Sequence, residues 1–376
     1  MRIAINGRLL IRNKLEGIGY FTYEVIKNLV THYPENDYLI LFDQQPDKKF
    51  LIPGIEYKVI PLPARRPFLY TLWFEVLIPF YLRNWDAELF LSFDGFCSLR
   101  SKVPTLLCVH DLAYIHYPDY IPKRELNFYQ KYQKKFALRA DSLITVSDFS
   151  RNDISRQYNI PSDKIEVVYN GSRFENTAIS SDSEPLGFQL VKGKYFLYTG
   201  SLHPRKNIVQ LINAFDQYKD STGSDYKLVL VGRVAWKSEA ILLSARESKY
   251  TDEIIFTGYL DDHTVWRILS NASALCYISK WEGFGVPILD AMHAGIPIIS
   301  AHSSSLPEVG GNAVIYIDPF SSDDIAKAME SIVTNENLKR RLLNEALVQR
   351  KKFSWVKTSE VIYRNCVEIF KNFKRI

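Results

Sequence analysis

Short apolar runs alternate with amphipathic segments along most of the 376-residue chain. In the first part of the chain the runs are IAIN (3–6), YLILF (38–42), ELFLS (88–92), TLLCVH (105–110), SLITVS (142–147) and IEVVYN (165–170). The first run leads through a loop into GYFTYEVIKNLV, whose apolar residues recur at helical spacing. This alternation predicts βαβ units around a parallel sheet.

The pattern breaks near residue 171 and then starts again. A polar, punctuated stretch is followed by YFLYTG (195–200), a predicted helix over 207–219, KLVLVG (227–232), IIFTGY (254–259), ALCYIS (274–279), IPIIS (296–300) and AVIYID (313–318). We therefore predict an N-terminal α/β domain over 1–171, a linker over 172–193 and a C-terminal α/β domain over 194–350. A helix over 351–376 is predicted to cross back to the N-terminal domain.

Composition narrows the classes of partner. The hydrophobic fraction of 47% suffices for two cores, and the net charge of +5 is too small for a nucleic-acid-binding arm. The same charge leaves a weak attraction to anionic membranes as an alternative. The four cysteines form no CxxC pair and no zinc spacing, and MRIAINGRLL is too short and polar for a signal peptide. These features favour the reduced cytoplasm.

The stretch RRPFLYTLWFEVLIPFYLRNW (65–85) raises the question of membrane contact. Glu75 and Pro79 interrupt it, so it is not expected to span a bilayer. Its aromatic and basic residues fit an interfacial segment. They also fit a helix packed on the first sheet with Trp73, Leu77 and Phe80 inward. The packed helix is the favoured interpretation, and a peripheral membrane contact stays open.

The stretch WEGFGVPILDAMHAGIPIIS (281–300) carries the clearest candidate chemistry. Pro287 suits the first turn of a helix and Gly295 its end, so Glu282 should lie in the preceding loop and Asp290 inside the helix. The glycine turn directs backbone N–H groups outward at a helix N-terminus, where an anion can bind. The two carboxylates are then expected to bind uncharged hydroxyl groups of the same ligand.

Other candidate residues follow predicted strands. Arg205 and Lys206 in TGSLHPRKN fit a phosphate clamp or a solvated basic turn. His110 in CVHDLAY fits an acid, base or orienting group, with a buried structural histidine as the alternative. Gly17 and Gly19 stand too far after their strand for a dinucleotide-binding turn. We interpret them as a loop that opens a helix, with a plain turn as the alternative.

No metal site is predicted. Asp182 and Glu184 lie in the predicted linker, and the Asp261, Asp262 and His263 run is interpreted as a helix cap.

Together, EGFG, PRKN and the strand-ending HD of a two-domain α/β chain resemble the retaining glycosyltransferases of family 4, which have the GT-B fold. The resemblance spans nearly the whole chain and extends to VVYNG (167–171) and SLPEVGGNAVIYIDP (305–319). That family carries Glu, seven residues, Glu; here Glu282 is the first, and Asp290 replaces the second. The chain looks most like the bacterial mannosyltransferase-like branch that builds polysaccharides and lipid-linked glycans. The implied fold is two Rossmann-like parallel-sheet domains facing a cleft.

The resemblance also implies roles for individual residues. Glu282 would bind the hydroxyls of the donor sugar, Asp290 the ribose hydroxyls, and Arg205 and Lys206 the diphosphate, while His110 would lie near the transferred sugar. Many relatives carry Arg at the position of Ser201, so here the phosphate charge would depend more on Arg205 and Lys206. The implied donor-binding set is completed by Gly17, Gly19, Gly200, Ser201, Gly258, Tyr259, Gly283, Phe284, Gly285 and Val286.

The implied function is metal-independent, retaining transfer of a hexose, with mannose favoured. The donor would be a GDP- or UDP-sugar, the acceptor a glycan or lipid-linked glycan, and no cofactor is expected. Two alternatives remain at this point: a nucleotide-sugar epimerase or hydrolase, and a catalytically silent donor-binding scaffold.

Overall fold

The computed structural model describes residues 1–11, 15–177 and 188–374. The chain divides into two compact units: residues 1–170 with the C-terminal segment from Ser354, and Gly171–Phe353. The predicted linker over 172–193 lies partly outside the described residues, as do Asp182 and Glu184.

The first unit is built on a parallel sheet of seven strands within the described residues. In chain order they are Arg2–Asn6 (β1), Asp37–Phe42 (β2), Glu56–Val59 (β3), Leu89–Ser92 (β4), Thr105–Cys108 (β5), Ser142–Thr145 (β6) and Ile165–Val167 (β7). Their spatial order is β3-β2-β1-β4-β5-β6-β7. The hydrophobic pattern does not predict β3, because EYKV is a largely exposed edge strand that pairs with β2.

Helices connect these strands, because neighbouring parallel strands need a crossover connection. They are Gly17–His32 (α1), Pro67–Leu72 (α2), Ile78–Asn84 (α3), Ala113–His116 (α4), Lys123–Arg139 (α5) and Asp148–Tyr158 (α6).

A π-helical turn, Trp73–Leu77, joins α2 to α3. Pro79 follows it in the first turn of α3, where its missing N–H is tolerated. Trp73 is fully buried and Leu77 packs on the core. Phe80, however, is 56% exposed, so the prediction that it faces inward is wrong. The widened turn shifts the helical register, which a sequence pattern at 3.6-residue spacing does not include.

The second unit has a parallel sheet of six strands among its described residues. They are Tyr195–Thr199 (β8), Lys227–Val231 (β9), Ile254–Gly258 (β10), Ala274–Tyr277 (β11), Ile298–Ala301 (β12) and Ile315–Ile317 (β13). The helices are Ile208–Thr222 (α7), Glu239–Glu247 (α8), Asp262–Ser270 (α9), Val286–Ala294 (α10), Leu306–Gly310 (α11), Ser322–Thr334 (α12) and Glu336–Gln349 (α13). The strand order β10-β9-β8-β11-β12-β13 brings the carboxyl ends of β10, β9, β8 and β11 to one edge of the sheet.

The last helix, Trp355–Lys374 (α14), belongs to the first unit. The ring of Trp355 meets Phe21 of α1 edge-on at 5.9 Å, and Tyr363 stacks on Tyr33 with ring centroids 3.6 Å apart. Within the described residues, none of the helices combines the length and the apolar character needed to cross a membrane.

Candidate active site

Three predicted site residues of the second unit form one ion-paired cluster at the carboxyl edge of its sheet. Lys206 donates from Nζ to Glu282 Oε1 at 2.5 Å, and Arg205 donates from Nη1 to Glu282 Oε2 at 3.1 Å. Arg205 also donates to the carbonyl oxygen of Trp281. Two cations and one carboxylate leave this Glu282 cluster with one excess positive charge, which suits a site for an anion.

The turn that carries the two cations is well ordered by its own contacts. After β8 the chain forms a single 3₁₀ turn, Pro204–Lys206, and His203 Nδ1 accepts from the backbone N–H of Arg205 at 3.2 Å. Lys206 is only 8% exposed, and its Nζ also donates to the hydroxyl of Tyr277 at 3.0 Å. The alternative of a solvated basic turn is therefore wrong for Lys206.

Glu282 is ionised throughout the physiological range. Burial by itself would raise the pKa of this carboxyl, but Arg205 and Lys206 more than offset that effect and lower the pKa to about 2. An attached anion would compete with Glu282 for the same two cations, so the carboxylate and the ligand must share them.

The glycine turn around Glu282 is held by a neighbouring serine loop. Ser304 Oγ accepts from the backbone N–H of Glu282 at 2.9 Å, while Ser305 donates to the carbonyl oxygens of Glu282 and Phe284. Gly285 has a φ of +113°, and a Cβ at this position would lie 2.8 Å from a methyl carbon of Leu306. Glycine is thus required at position 285, directly before α10, which begins at Val286. Gly283 and Phe284 lie in the same turn, between Glu282 and Gly285.

Asp290 lies inside α10, as predicted, but it is 1% exposed and both of its oxygens already accept hydrogen bonds. Ser172 donates to Oδ1 at 2.7 Å, and Arg173 donates from Nε to Oδ2 at 2.9 Å. Burial raises the pKa of Asp290, and Arg173 opposes that effect. The observed contacts tie Asp290 to the start of the second unit, and its ribose role stays a prediction.

Four further predicted donor-binding residues of the second unit lie along the same sheet edge. Gly200 follows β8 with a φ of +138°, and a Cβ there would approach the Tyr198 hydroxyl to 2.9 Å. Ser201 comes next, and its carbonyl accepts from that hydroxyl at 2.9 Å. Gly258 ends β10 with a φ of +73° and open space around it, and Tyr259 is 44% exposed. Of the two glycines, Gly258 therefore has open space beside it and Gly200 does not.

Gly17, Gly19 and His110 belong to the first unit. Gly17 begins α1 with open space where a Cβ would stand, whereas a Cβ on Gly19 would lie 2.9 Å from the carbonyl oxygen of Leu9. His110 Nε2 lies 2.8 Å from the carbonyl oxygen of Phe93. Burial lowers the pKa of His110, so the neutral ring donates from Nε2 and Nδ1 is the acceptor.

Two family models match the chain and together cover most of it. "Glycosyltransferase Family 4" matches residues 15–173, and "Glycosyl transferases group 1" matches residues 184–348. Over 371 residues the chain is 28% identical to O-antigen chain mannosyltransferase B of Escherichia coli, a match that covers 92% of this chain and 94% of that protein. The chain belongs to glycosyltransferase family 4.

Solved structures identify the fold of this glycosyltransferase as GT-B. Sucrose-phosphate synthase from Thermosynechococcus elongatus superposes with a TM-score of 0.80 at 16% identity, covering 99% of each chain. HepE from Anabaena, in a complex with UDP and glucose, superposes with a TM-score of 0.75 at 16% identity, covering 98% of this chain and 100% of that one.

Sequence reasoning did not identify several residues that build the site of this glycosyltransferase. Tyr277 ends β11 within an apolar run, so nothing in the pattern separates it from core tyrosines. Ser172 and Arg173 stand more than 110 positions before Asp290 and were assigned to the linker. The SLP stretch at 305–307 is part of the family pattern named above. That pattern gave no role to Ser305.

Tyr277→Phe is expected to weaken nucleoside-diphosphate binding by this glycosyltransferase roughly tenfold. The substitution removes the hydroxyl that accepts from Lys206, while the ion pair of Lys206 with Glu282 stays in place. A hydrogen bond to a charged group contributes about 1.5–3 kcal/mol. Titration calorimetry measures the affinity. Tyr195→Phe is the control, because that hydroxyl donates to Ile268, away from the Glu282 cluster. Equal affinities in both variants would contradict the positioning role of Tyr277.

Proposed function

We propose that this glycosyltransferase moves mannose from a nucleotide-diphosphate sugar to a glycan or lipid-linked glycan with retention of anomeric configuration. The observation that carries the proposal is the Glu282 cluster, where two cations share one carboxylate at the carboxyl edge of a parallel sheet. Mannose is favoured by the likeness to an O-antigen chain mannosyltransferase. We place the reaction in the cytoplasm, where nucleotide sugars would be the donors.

The strand order supports an extended donor along this edge. Gly258 ends β10 and Tyr259 follows it, Gly200 and Ser201 follow β8, and Glu282 follows β11. Three strand intervals separate β10 from β11, which is roughly 14 Å at ordinary strand spacing. In the proposal the nucleobase lies beside Tyr259, the diphosphate near the cations, and the sugar at Glu282. HepE, with UDP and glucose bound, supports a nucleotide sugar as donor.

In the proposed reaction, the protein stabilises the negative charge that develops on the leaving group. The bond between the anomeric carbon and the diphosphate oxygen breaks, and the diphosphate leaves with the electron pair. Arg205 and Lys206 stabilise the charge that develops on it. The acceptor oxygen bonds to the same face of the anomeric carbon, and its proton passes to the departing diphosphate. His110 is proposed as a polar orienting group, since its neutral ring can accept a hydrogen bond at Nδ1.

A donor screen tests the proposal directly. Thermal-shift measurements with GDP, UDP and ADP identify the base, and turnover is then measured with the matching sugar donors, with and without glycan acceptors. We expect GDP to stabilise the protein most and GDP-mannose to be consumed only when acceptor is present. Consumption without acceptor would indicate the hydrolase or epimerase alternative. Nucleotide binding without turnover on any acceptor would indicate the silent scaffold.

Transfer is expected to continue after metal chelation. The cationic side chains of the Glu282 cluster are proposed to neutralise the diphosphate in place of a divalent ion. Initial rates are compared in excess chelator and in magnesium or manganese. Complete loss of turnover in chelator, restored by either ion, would overturn metal independence while leaving the transfer reaction itself intact.

A further inference from the structure

An apolar stripe is exposed on the first unit. Phe68, Leu72, Val76 and Phe80 stand at every fourth position from α2 through the π-helical turn into α3, and each is between 40% and 68% exposed. The same segment buries Tyr70, Trp73, Phe74 and Ile78 in the core. The stripe is therefore the outer face of a segment that is already anchored from its inner face.

The π-helical turn keeps these four side chains close to one line. In an α-helix, a spacing of four residues drifts around the axis, because one turn takes 3.6 residues. A π-helical turn takes more than four residues per turn, so between positions 72 and 76 the drift runs in the opposite sense and offsets the drift of the α-helical turns on either side. The stripe runs from residue 68 to residue 80, roughly 18 Å at the rise of an ordinary helix. It is a continuous line of aromatic and aliphatic groups rather than a set of scattered apolar residues.

Helix α5, which packs against α2, carries strong positive charge. Its sequence KRELNFYQKYQKKFALR contains six Lys and Arg residues against one Glu. Phe128 of α5 packs on Tyr70 of α2 with ring centroids 5.3 Å apart, so the two helices are neighbours. Lys131, Lys134 and Lys135 are exposed on α5. Exposed apolar side chains and exposed lysines on two neighbouring helices match the composition of segments that lie at an anionic bilayer surface.

We propose that the stripe on α2–α3 and the lysines of α5 form a docking surface for an anionic lipid bilayer. The four apolar side chains insert among the acyl chains near the headgroups, while the lysines attract phosphate groups of the lipids. A protein partner with only an apolar groove would not use the α5 charge. This inference goes beyond the proposed function, because it depends on neither the donor nor the acceptor.

Co-sedimentation with lipid vesicles tests the docking surface. The full chain is mixed with vesicles of phosphatidylcholine alone, or of phosphatidylcholine and phosphatidylglycerol in equal parts. We expect binding to the mixed vesicles to be at least tenfold tighter and to weaken as salt is raised. Equal binding to both vesicle types, or none to either, would overturn the proposal.

Two sets of variants separate the apolar and the charged contributions. Val76→Ser/Phe80→Ser is expected to lose tenfold or more in affinity for mixed vesicles. Its matched control is Leu347→Ser/Val348→Ser, which removes two exposed apolar side chains from α13 of the second unit.

Replacing Lys131, Lys134 and Lys135 together with Gln is expected to lose roughly a hundredfold, at about fivefold for each cation near an anionic surface. Its matched control replaces three exposed cations of the second unit, Arg340, Arg341 and Lys352, with Gln.

Further readouts distinguish lipid docking from misfolding and from catalysis. The Val76/Phe80 and the lysine variants should keep the melting temperature and the affinity for free nucleoside diphosphate, since the side chains replaced in them are exposed and belong to the first unit. Loss of vesicle binding in the control variants to the same extent would overturn the assignment of the surface. Failure of the transfer assay with vesicle binding intact would count against the proposed function alone.

Discussion

Glu282→Ala is expected to reduce transfer roughly a hundredfold or more while leaving affinity for free nucleoside diphosphate unchanged or higher. The substitution removes the carboxylate proposed to position the sugar, and misplacement of the reacting carbon costs about that factor. It also raises the charge of the Glu282 cluster by one unit, which favours an anion. Steady-state kinetics and titration calorimetry on the same preparation measure the two effects.

The same substitution is expected to lower the free energy of unfolding of the second unit by about 3–5 kcal/mol, because it leaves the buried ammonium of Lys206 without its carboxylate. Glu253→Ala is a suitable control. Glu253 pairs with Lys219, itself 5% exposed as a side chain, at 2.6 Å. That pair lies at the amino end of β10, on the opposite edge of the sheet from the Glu282 cluster. Glu253→Ala is expected to lower the free energy of unfolding and to leave transfer unchanged.

Glu282 also predicts how stability depends on pH. Its pKa is about 2 in the folded protein against an ordinary value of 4.5, so its contribution is present above about pH 4.5 and is lost as pH falls towards 2. The contribution amounts to about 3 kcal/mol. Glu282→Gln should remove this acid-dependent part of the unfolding curve. For Glu282→Ala, a loss of nucleoside-diphosphate affinity together with the loss of transfer would show that Glu282 does not act on the sugar separately from the nucleotide.

Asp290→Ala is expected to weaken both free nucleotide and whole donor by about 1.5–3 kcal/mol, the range for a hydrogen bond to a charged group. Its stability should also fall, by about 3 kcal/mol, because the buried carboxylate pairs with Arg173. Arg173 keeps a second partner in Asp262, at 3.3 Å, which limits the loss. Calorimetric titration and thermal melting measure the two effects.

Ser172→Ala separates the two roles of Asp290. It removes the 2.7 Å hydrogen bond to Oδ1 but leaves the carboxylate in place. A purely structural Asp290 predicts that both variants melt earlier and that both bind nucleotide normally. If nucleotide binding by Asp290→Ala is untouched while its melting temperature falls, the ribose role is wrong.

Most of the fold follows from local patterns in the sequence. Buried strands such as β5 and β11 are apolar on both faces, and proline and glycine mark the ends of α10, so their place in the chain is predictable from spacing alone. The α/β alternation predicts two parallel sheets, and both are present. The edge strand β3 was missed, because an exposed edge carries little apolar signal.

The sequence by itself determined the class of site: a glycine turn before a helix, a basic pair after a strand, and membership of glycosyltransferase family 4. These are local features, written in residues that stand next to one another. Only the tertiary structure decided how they are coupled. It paired Glu282 with Arg205 across 77 positions and with Lys206 across 76. It also placed Ser172 and Arg173 in hydrogen-bond contact with Asp290. It also turned Phe80 outward through a π-helical turn. Burial and long-range ion pairs depend on how strands are ordered in the sheet, and that order is not encoded in the spacing of any single segment.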